Sequence, residues 1–263
     1  MMLVRRRAAQ AGFTLIELLV ALGIFLIVCG AAFTLLGSSQ QRYHTDSQLL
    51  TTFQEARLGL DQIIRDVDDS GFPPPTFAGL NPTLYTSTPF AWSPGYTVPT
   101  PCTIGISCVS PGDFDLIVET NPNPNPQDPS NLGVQWIRYT LQGSTLMRGM
   151  AQKAFGHDPV VDTSANLAPF VQNVVNNATA GQITQFQINY PNMFPTGAVP
   201  IFSYTCDTGT FPQPCPVAGS FNSPQYIREV TVTIIVSGPV LDANGQPRLV
   251  QLVGRGRRVN PSQ

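Results

Sequence analysis

From Gly12 to Leu36 the chain reads GFTLIELLVALGIFLIVCGAAFTLL, and this apolar run constrains the fold more than any other stretch. At ~1.5 Å of rise per helical residue it is long enough to cross a hydrocarbon core of roughly 30 Å. It is predicted to be a membrane helix. One acid, Glu17, lies near its beginning, and the short head before it, MMLVRRRAAQA, carries Arg5, Arg6 and Arg7 in succession. An ordinary secretory signal is cut after its apolar core, so the core is discarded. Here the small residue stands before the core. Cleavage between Gly12 and Phe13 leaves the whole helix on the mature protein and makes Phe13 the new N-terminus.

A carboxylate inside a spanning helix costs roughly 2.5 to 3.5 kcal/mol on insertion scales, so Glu17 needs a partner. The freed α-amino group, with a reference pKa of about 7.7 to 8, is mostly cationic at neutral pH and lies about one turn away. A neighbouring copy offset along the helix axis presents its own amine to this Glu17. The charge pair then exists only when subunits stack. The competing account is a plain single-span anchor in which Glu17 reaches the interface by itself.

The decapeptide GFTLIELLVA, Gly12 to Ala21, resembles the signature of type IV prepilins and pseudopilins. The resemblance implies that a prepilin peptidase cuts between Gly12 and Phe13 and methylates the amine of Phe13, and that Glu17 serves subunit assembly. It also implies an α+β type IV pilin fold, with one long N-terminal helix packed on an antiparallel β-sheet domain with long loops. The partners implied are the prepilin peptidase, other pilins or pseudopilins met through the helix, the inner-membrane assembly platform and the membrane itself.

Composition agrees with export. Removing the three leader arginines from a formal net charge of −2 takes the mature side chains to −5, which argues against nucleic-acid binding as the main task. Basic residues stay on the cytoplasmic side, so the chain after the span is expected outside that membrane, first held there and then in an extracellular or periplasmic filament. Cys29 lies within the span and reads as a small packing residue. The other four cysteines, Cys102, Cys108, Cys206 and Cys215, allow three connectivities. The short intervals favour the local pairs Cys102 with Cys108 and Cys206 with Cys215, each contributing ~2 to 3 kcal/mol in the chain-entropy model. Zinc is the other use of such thiols, but the intervals are not those of zinc knuckles.

Beyond the span, residues 38–67 lack proline and place Leu49, Phe53, Ala56, Leu60, Ile63 and Val67 at alternating intervals of four and three. That is one stripe of a helix, widened by Leu50 and Ile64, and a nearly continuous helix is predicted over 13–68. Its stripe is expected to pack on the protein's own sheet. Gly71 and the prolines from Pro73 onward end it. Residues 76–110 read as a loop whose aromatics (Phe77, Tyr85, Phe90, Trp92, Tyr96) fill its underside. Strands are predicted at 113–119, 134–141, 145–148, 183–190, 226–236 and 248–253, with 171–175 ambiguous. A two-residue turn at Gly143-Ser144 closes a hairpin, and Asn244-Gly245 turns the chain into the last strand. The Pro- and Asn-rich 121–131 reads as an exposed connector. The helix end at 57–72, the hairpin at 137–148 and the basic ending at 255–260 are each similar to W-type minor pilins of type IV pili and J-type pseudopilins of type II secretion.

Little in the sequence suggests catalysis. His44 and His157 stand in no motif with a nucleophile or metal-ligand spacing, and no phosphate-binding loop or His-Glu-x-x-His occurs. Asp66, Asp68 and Asp69 lack the spacing of a calcium loop and read as a solvated helix end. Arg255, Arg257 and Arg258 form a weak basic patch, read as a solvated edge strand rather than an anion site. Asn177-Ala178-Thr179 fits a glycosylation sequon. The expectation is a structural subunit without cofactor, metal site or enzymatic activity. Its parts are a leader at 1–12, a transmembrane helix at 13–36, its extracytoplasmic continuation at 37–70 and a β-rich domain at 71–263. A bulky, loop-rich domain suits a minor subunit that primes assembly at or near a filament tip. A J-type pseudopilin, or a surface pilin that binds ligand in adhesion or DNA uptake, are the alternatives.

Overall fold

The structure, a computed structural model, describes residues 12, 14–74, 86, 88–93, 102–123, 125, 132–154, 156–207, 211–215, 223–241 and 245–258. The chain divides into two compact units, Met1–Gln48 and Leu49–Gln263. Helix α1 (Leu15–Asp68) begins in the first and ends in the second. Within the first unit, Leu15 to Leu36 are exposed at every position except the half-buried Cys29, including Leu15 at 79% and Ile27 at 74%. The helix is long and apolar enough to cross a membrane, and none of its most apolar window is covered by protein.

The second unit holds two four-stranded antiparallel sheets. Strands β1 (Asp115–Thr120), β2 (Gln135–Gln142), β3 (Thr145–Gln152) and β4 (Ala168–Val171) lie in that spatial order, with α2 (Pro159–Ser164) between β3 and β4 in the chain. Helix α3 (Ala180–Asn189) leads to the second sheet. Strands β5 (Phe202–Cys206), β6 (Gln213–Pro214), β7 (Ile227–Leu241) and β8 (Pro247–Arg257) are ordered β6-β5-β7-β8 there. The alternation of Val230, Val232, Ile234 and Val236 with threonines puts one apolar face of β7 into the core. That core also takes Leu116 and Val118 of β1, Ile137 and Tyr139 of β2 and Leu146 of β3. Ala56, Leu60, Ile63 and Val67 of α1 complete it, so the stripe does pack on the protein's own sheets.

Close approach, rather than side-chain bulk, seats α1 on β8. A Cβ added to Gly256 would lie 2.7 Å from Val67 Cγ1, 2.8 Å from Val67 Cβ and 3.2 Å from the Ile64 carbonyl oxygen. One added to Gly254 would run into Ile64 Cδ1 and come within 3.2 Å of Leu60 Cδ1. The same alternation turns Arg255 and Arg257 to the exposed side of the strand. Beyond the helix, Gly71 takes a φ of 80°, and its N–H donates to the Glu119 carbonyl at 2.9 Å.

Several expectations need correction. The predicted strand at 183–190 is helix α3. Thr179 and Gln182 form a capping box at its start, and this local signal prevails over the alternation of Phe186, Ile188 and Tyr190. Only Phe186 of that helix is buried, packed on Phe194 at 5.1 Å between ring centroids, while Ile188 is exposed. The expected antiparallel β-sheet domain is present and consists of two sheets. The first strand runs over Asp115–Thr120 rather than 113–119, the first hairpin strand is Gln135–Gln142, one residue later than the predicted 134–141, and the second, Thr145–Gln152, outlasts the predicted 145–148. The ambiguous 171–175 splits between the end of β4 at Val171 and a bridge from Val174 to Val236. The long strand continues past 236 to Leu241, and the last extends to Arg257. Asn121 of the connector is buried, its N–H bound to the Phe72 carbonyl. Phe90 and Trp92 are buried as expected, whereas Phe77, Tyr85, Tyr96, Asn244 and Phe13 lie outside the described residues.

Candidate processing and assembly site

At the start of α1, Thr14 and Glu17 hold one another. The Thr14 backbone N–H donates to Glu17 Oε2 at 2.9 Å and the Thr14 hydroxyl donates to the same oxygen at 2.9 Å. In return the Glu17 N–H donates to Thr14 Oγ1 at 3.3 Å. With helix residues beginning at Leu15, Thr14 stands at the N-cap and Glu17 at the third helical position, which makes this a capping box. It answers two of the backbone N–H groups that a helix start leaves without partners, and it places a carboxylate where the helix dipole favours one. Gly12 is exposed and outside the helix. The Ser/Thr-x-x-Glu pattern before an apolar run is the sequence signal for this cap, and treating Glu17 only as a charge in the membrane overlooks it.

A second set of polar groups gathers where α1 ends. Asp66 is buried, not solvated. Its carboxylate accepts from the Tyr139 hydroxyl at 2.5 Å, the Gln62 amide at 2.7 Å and the Arg148 guanidinium at 3.2 Å. Burial and the Asp66 charge push the Tyr139 hydroxyl well above its ordinary range, so it donates to Asp66 as a neutral group. Beside it, Asp68 accepts from the Arg257 N–H at 2.8 Å, tying β8 to the helix end. The Asp69 carboxyl is pushed up by partial burial and by the neighbouring Asp66 and Asp68 charges. An open cleft of ≈ 590 Å³ borders these acids.

The opposite face of the first sheet carries two more buried pairs. Arg138 donates to Asp115 through Nη2 at 2.6 Å and through Nε, and its Nη1 donates to the Val160 carbonyl and to Ser164 Oγ, which fastens α2 to the sheet. Burial pushes the Asp115 carboxyl up against the lowering effect of Arg138. Lys153, the single lysine of the chain, lies 2.6 Å from Glu119, whose other oxygen accepts from the Trp136 ring nitrogen. None of these groups stands out in the sequence, since strand pairing is what brings them together.

Disulfides join Cys102 to Cys108 and Cys206 to Cys215, with Cα–Cα separations of 5.0 and 5.5 Å, and Cys29 is free. His157 pairs with Asp162 at 3.2 Å on α2, and His44 lies on α1 against Tyr43. Arg255 and Arg257 are exposed, while Arg258 is buried and donates to the Gln225 carbonyl. Asn177 of the sequon is exposed, and the Thr179 hydroxyl donates to Gln182. Among the described residues no group of three or more His, Cys, Asp or Glu side chains is arranged to hold a metal ion.

Residues 7–33 match the family model described as the prokaryotic N-terminal methylation motif. The chain carries the methylation motif of type IV prepilins. The motif implies processing by a peptidase and assembly with other pilins, and it places Gly12, Thr14 and Glu17 within one recognised segment. Among solved structures, the type IV-like pilin TTHA1219 from Thermus thermophilus is similar over 80% of this chain and 97% of its own, at 10% identity and a TM-score of 0.39. The comparison with curated proteins finds no match.

Proposed function

We propose that this protein is a minor pilin or pseudopilin, a filament subunit made as a membrane-held precursor. The observation that carries the reading is the methylation motif over 7–33 on a helix whose apolar half, Leu15 to Leu36, has no protein cover. A helix in that state needs lipid before assembly and neighbouring helices after it. Residues 1–12 are the leader, 13–36 the span, 37–70 its extracytoplasmic continuation and 71–263 the β-rich domain. The leader arginines hold the N-terminus on the cytoplasmic side. Cleavage between Gly12 and Phe13 and methylation of Phe13 prepare the chain for extraction, and Glu17 then pairs with the terminal amine of a neighbour. The domain's bulk suits a position at or near a tip, since helices packed ~8 to 10 Å apart leave little room for it at every repeat. Pilus and type II secretion filaments both use such a subunit, and the disulfides Cys102–Cys108 and Cys206–Cys215 suit the oxidising side of the membrane.

The test is intact mass and N-terminal sequencing of the protein from its native membrane, with and without active prepilin peptidase. A chain beginning at N-methylated Phe13 only when the peptidase is active is the expected result. A retained leader, or a cut beyond Leu36, overturns the reading.

A further inference from the structure

A peptidase must lay the bond it cuts across its own catalytic groups, and an amide inside a helix is held within a ladder of N–H to C=O bonds. Leader removal adds water across the amide between residues 12 and 13, leaving a carboxylate on Gly12 and an amine on Phe13. An apolar helix as long as this one has every reason to extend backward over that bond, since propagation adds one hydrogen bond for each residue fixed. Something has to stop it. Gly12 is a poor helix former but lies on the far side of the bond, so it cannot keep the next residue out of the helix.

We infer that Thr14 is a positioning residue for leader removal: its N-cap, closed by Glu17, halts α1 at Leu15 and keeps the bond between residues 12 and 13 out of the helix. The inference rests on the filament-subunit reading. Both halves of the stop are in the structure. The Thr14 hydroxyl oxygen takes the Glu17 N–H at 3.3 Å, and Glu17 Oε2 takes the Thr14 N–H at 2.9 Å, the group that a longer helix would use for its own backbone bond. The first backbone bond of the helix, from the Leu18 N–H to the Thr14 carbonyl at 3.3 Å, starts at the same residue. Glu17 therefore has an intrachain partner in the precursor, before any neighbour's amine exists. That partner is an amide and a hydroxyl, so it survives cleavage and releases the carboxylate only to a stronger donor.

Removing the cap leaves the bond helical for part of the time, and the peptidase then sees only the remaining fraction of competent substrate. Apparent affinity falls by that fraction while the chemical step is untouched. The experiment uses the full precursor in membrane vesicles with the peptidase, comparing wild type, Thr14→Ala, Thr14→Ser and Thr14→Asn, and following leader loss by mass. Amide hydrogen exchange over residues 12–18 in detergent locates the start of the helix in each. Thr14→Ala is expected to raise KM with kcat unchanged, by at most about 5-fold, the ceiling that ~1 kcal/mol of lost capping sets on the fall in the competent fraction. The helix start should move toward the leader in that variant. Serine and asparagine, both good caps, should restore the wild-type KM, and asparagine does so without a hydroxyl. An unchanged KM in Thr14→Ala overturns the inference. So does a loss confined to kcat, or rescue by serine but not asparagine, because each assigns the residue a direct contact with the peptidase. Failure of the wild-type precursor to be cut at all sinks the filament-subunit reading instead, and is distinguishable from these.

Discussion

Gly256→Ala tests how α1 is seated on the second sheet. The added methyl would stand 2.8 Å from Val67 Cβ and 3.2 Å from the Ile64 carbonyl oxygen. Neither is the far end of a flexible side chain, so the helix or the strand has to shift. Overpacking of this kind costs ~1 to 3 kcal/mol. Against it, alanine lowers the entropy of the unfolded chain and returns ~0.4 to 1 kcal/mol. The net expectation is a loss of about 1 to 2 kcal/mol, or a fall of about 2 to 8 °C in Tm for a unit of this size. Gly254→Ala meets mainly Ile64 Cδ1, the movable tip of its side chain, and should lose less. Both tryptophans, Trp92 and Trp136, are buried in the second unit, so fluorescence on heating the full chain in detergent reads that unit alone. Val67→Ala removes Val67 Cγ1, 2.7 Å from the new methyl, while Val67 Cβ and the Ile64 carbonyl stay, so the double variant should lose about 0.5 kcal/mol less than the sum of the singles. A Gly256→Ala protein that melts with the wild type, or strictly additive losses, would refute the close-approach account.

Asp66→Ala leaves the buried Tyr139 hydroxyl and part of the Arg148 guanidinium to find new partners, and should cost ~2 to 4 kcal/mol in chemical unfolding, with Asp66→Asn costing less because it still accepts from Tyr139. Asp69→Asn should instead stabilise. The Asp69 carboxyl is raised in the folded state, so its ionisation opposes folding increasingly as the pH rises above the unfolded carboxylate value, and fully above the raised one. The gain is therefore present at neutral pH and should vanish as the pH falls below the ordinary carboxylate value of about 3.9, which melting curves across pH will show. Serine at both Cys102 and Cys108, or at both Cys206 and Cys215, should cost ~2 to 3 kcal/mol per pair, slightly more for the longer loop, measured by denaturant midpoint.

The pieces legible in the sequence are those whose physics is local. An apolar run of helical length, a stripe at intervals of four and three, a threonine-valine alternation and a Gly-Ser turn each state their own conformation within a few residues. So α1, the β2–β3 hairpin and β7 can be placed from the order of residues alone. Short intervals likewise point to the cysteine pairs that the fold joins. The α3 segment shows how this fails. Alternation in 183–190 suggests a strand, yet Ile188 never reaches a core, and the capping box at Thr179 and Gln182 decides for helix.

What the tertiary structure alone decided depends on residues far apart in the chain. Asp66 reads as one acid of a wet helix end until Tyr139 and Arg148, 73 and 82 residues away, close over it. The glycines of β8 read as part of a basic ending until Val67 and Ile64 occupy the space that side chains would have filled. Lys153 can be counted in the sequence but not paired, because its partner Glu119 comes from another strand. At the other end of the chain, the helix cap is written within four residues, from Thr14 to Glu17, and hydrogen bonds no longer than one helical turn suffice to express it. Local chemistry can be read from local sequence; a buried charge or a close helix contact requires the free energy of the whole packed core to hold it, and no stretch of sequence carries that by itself.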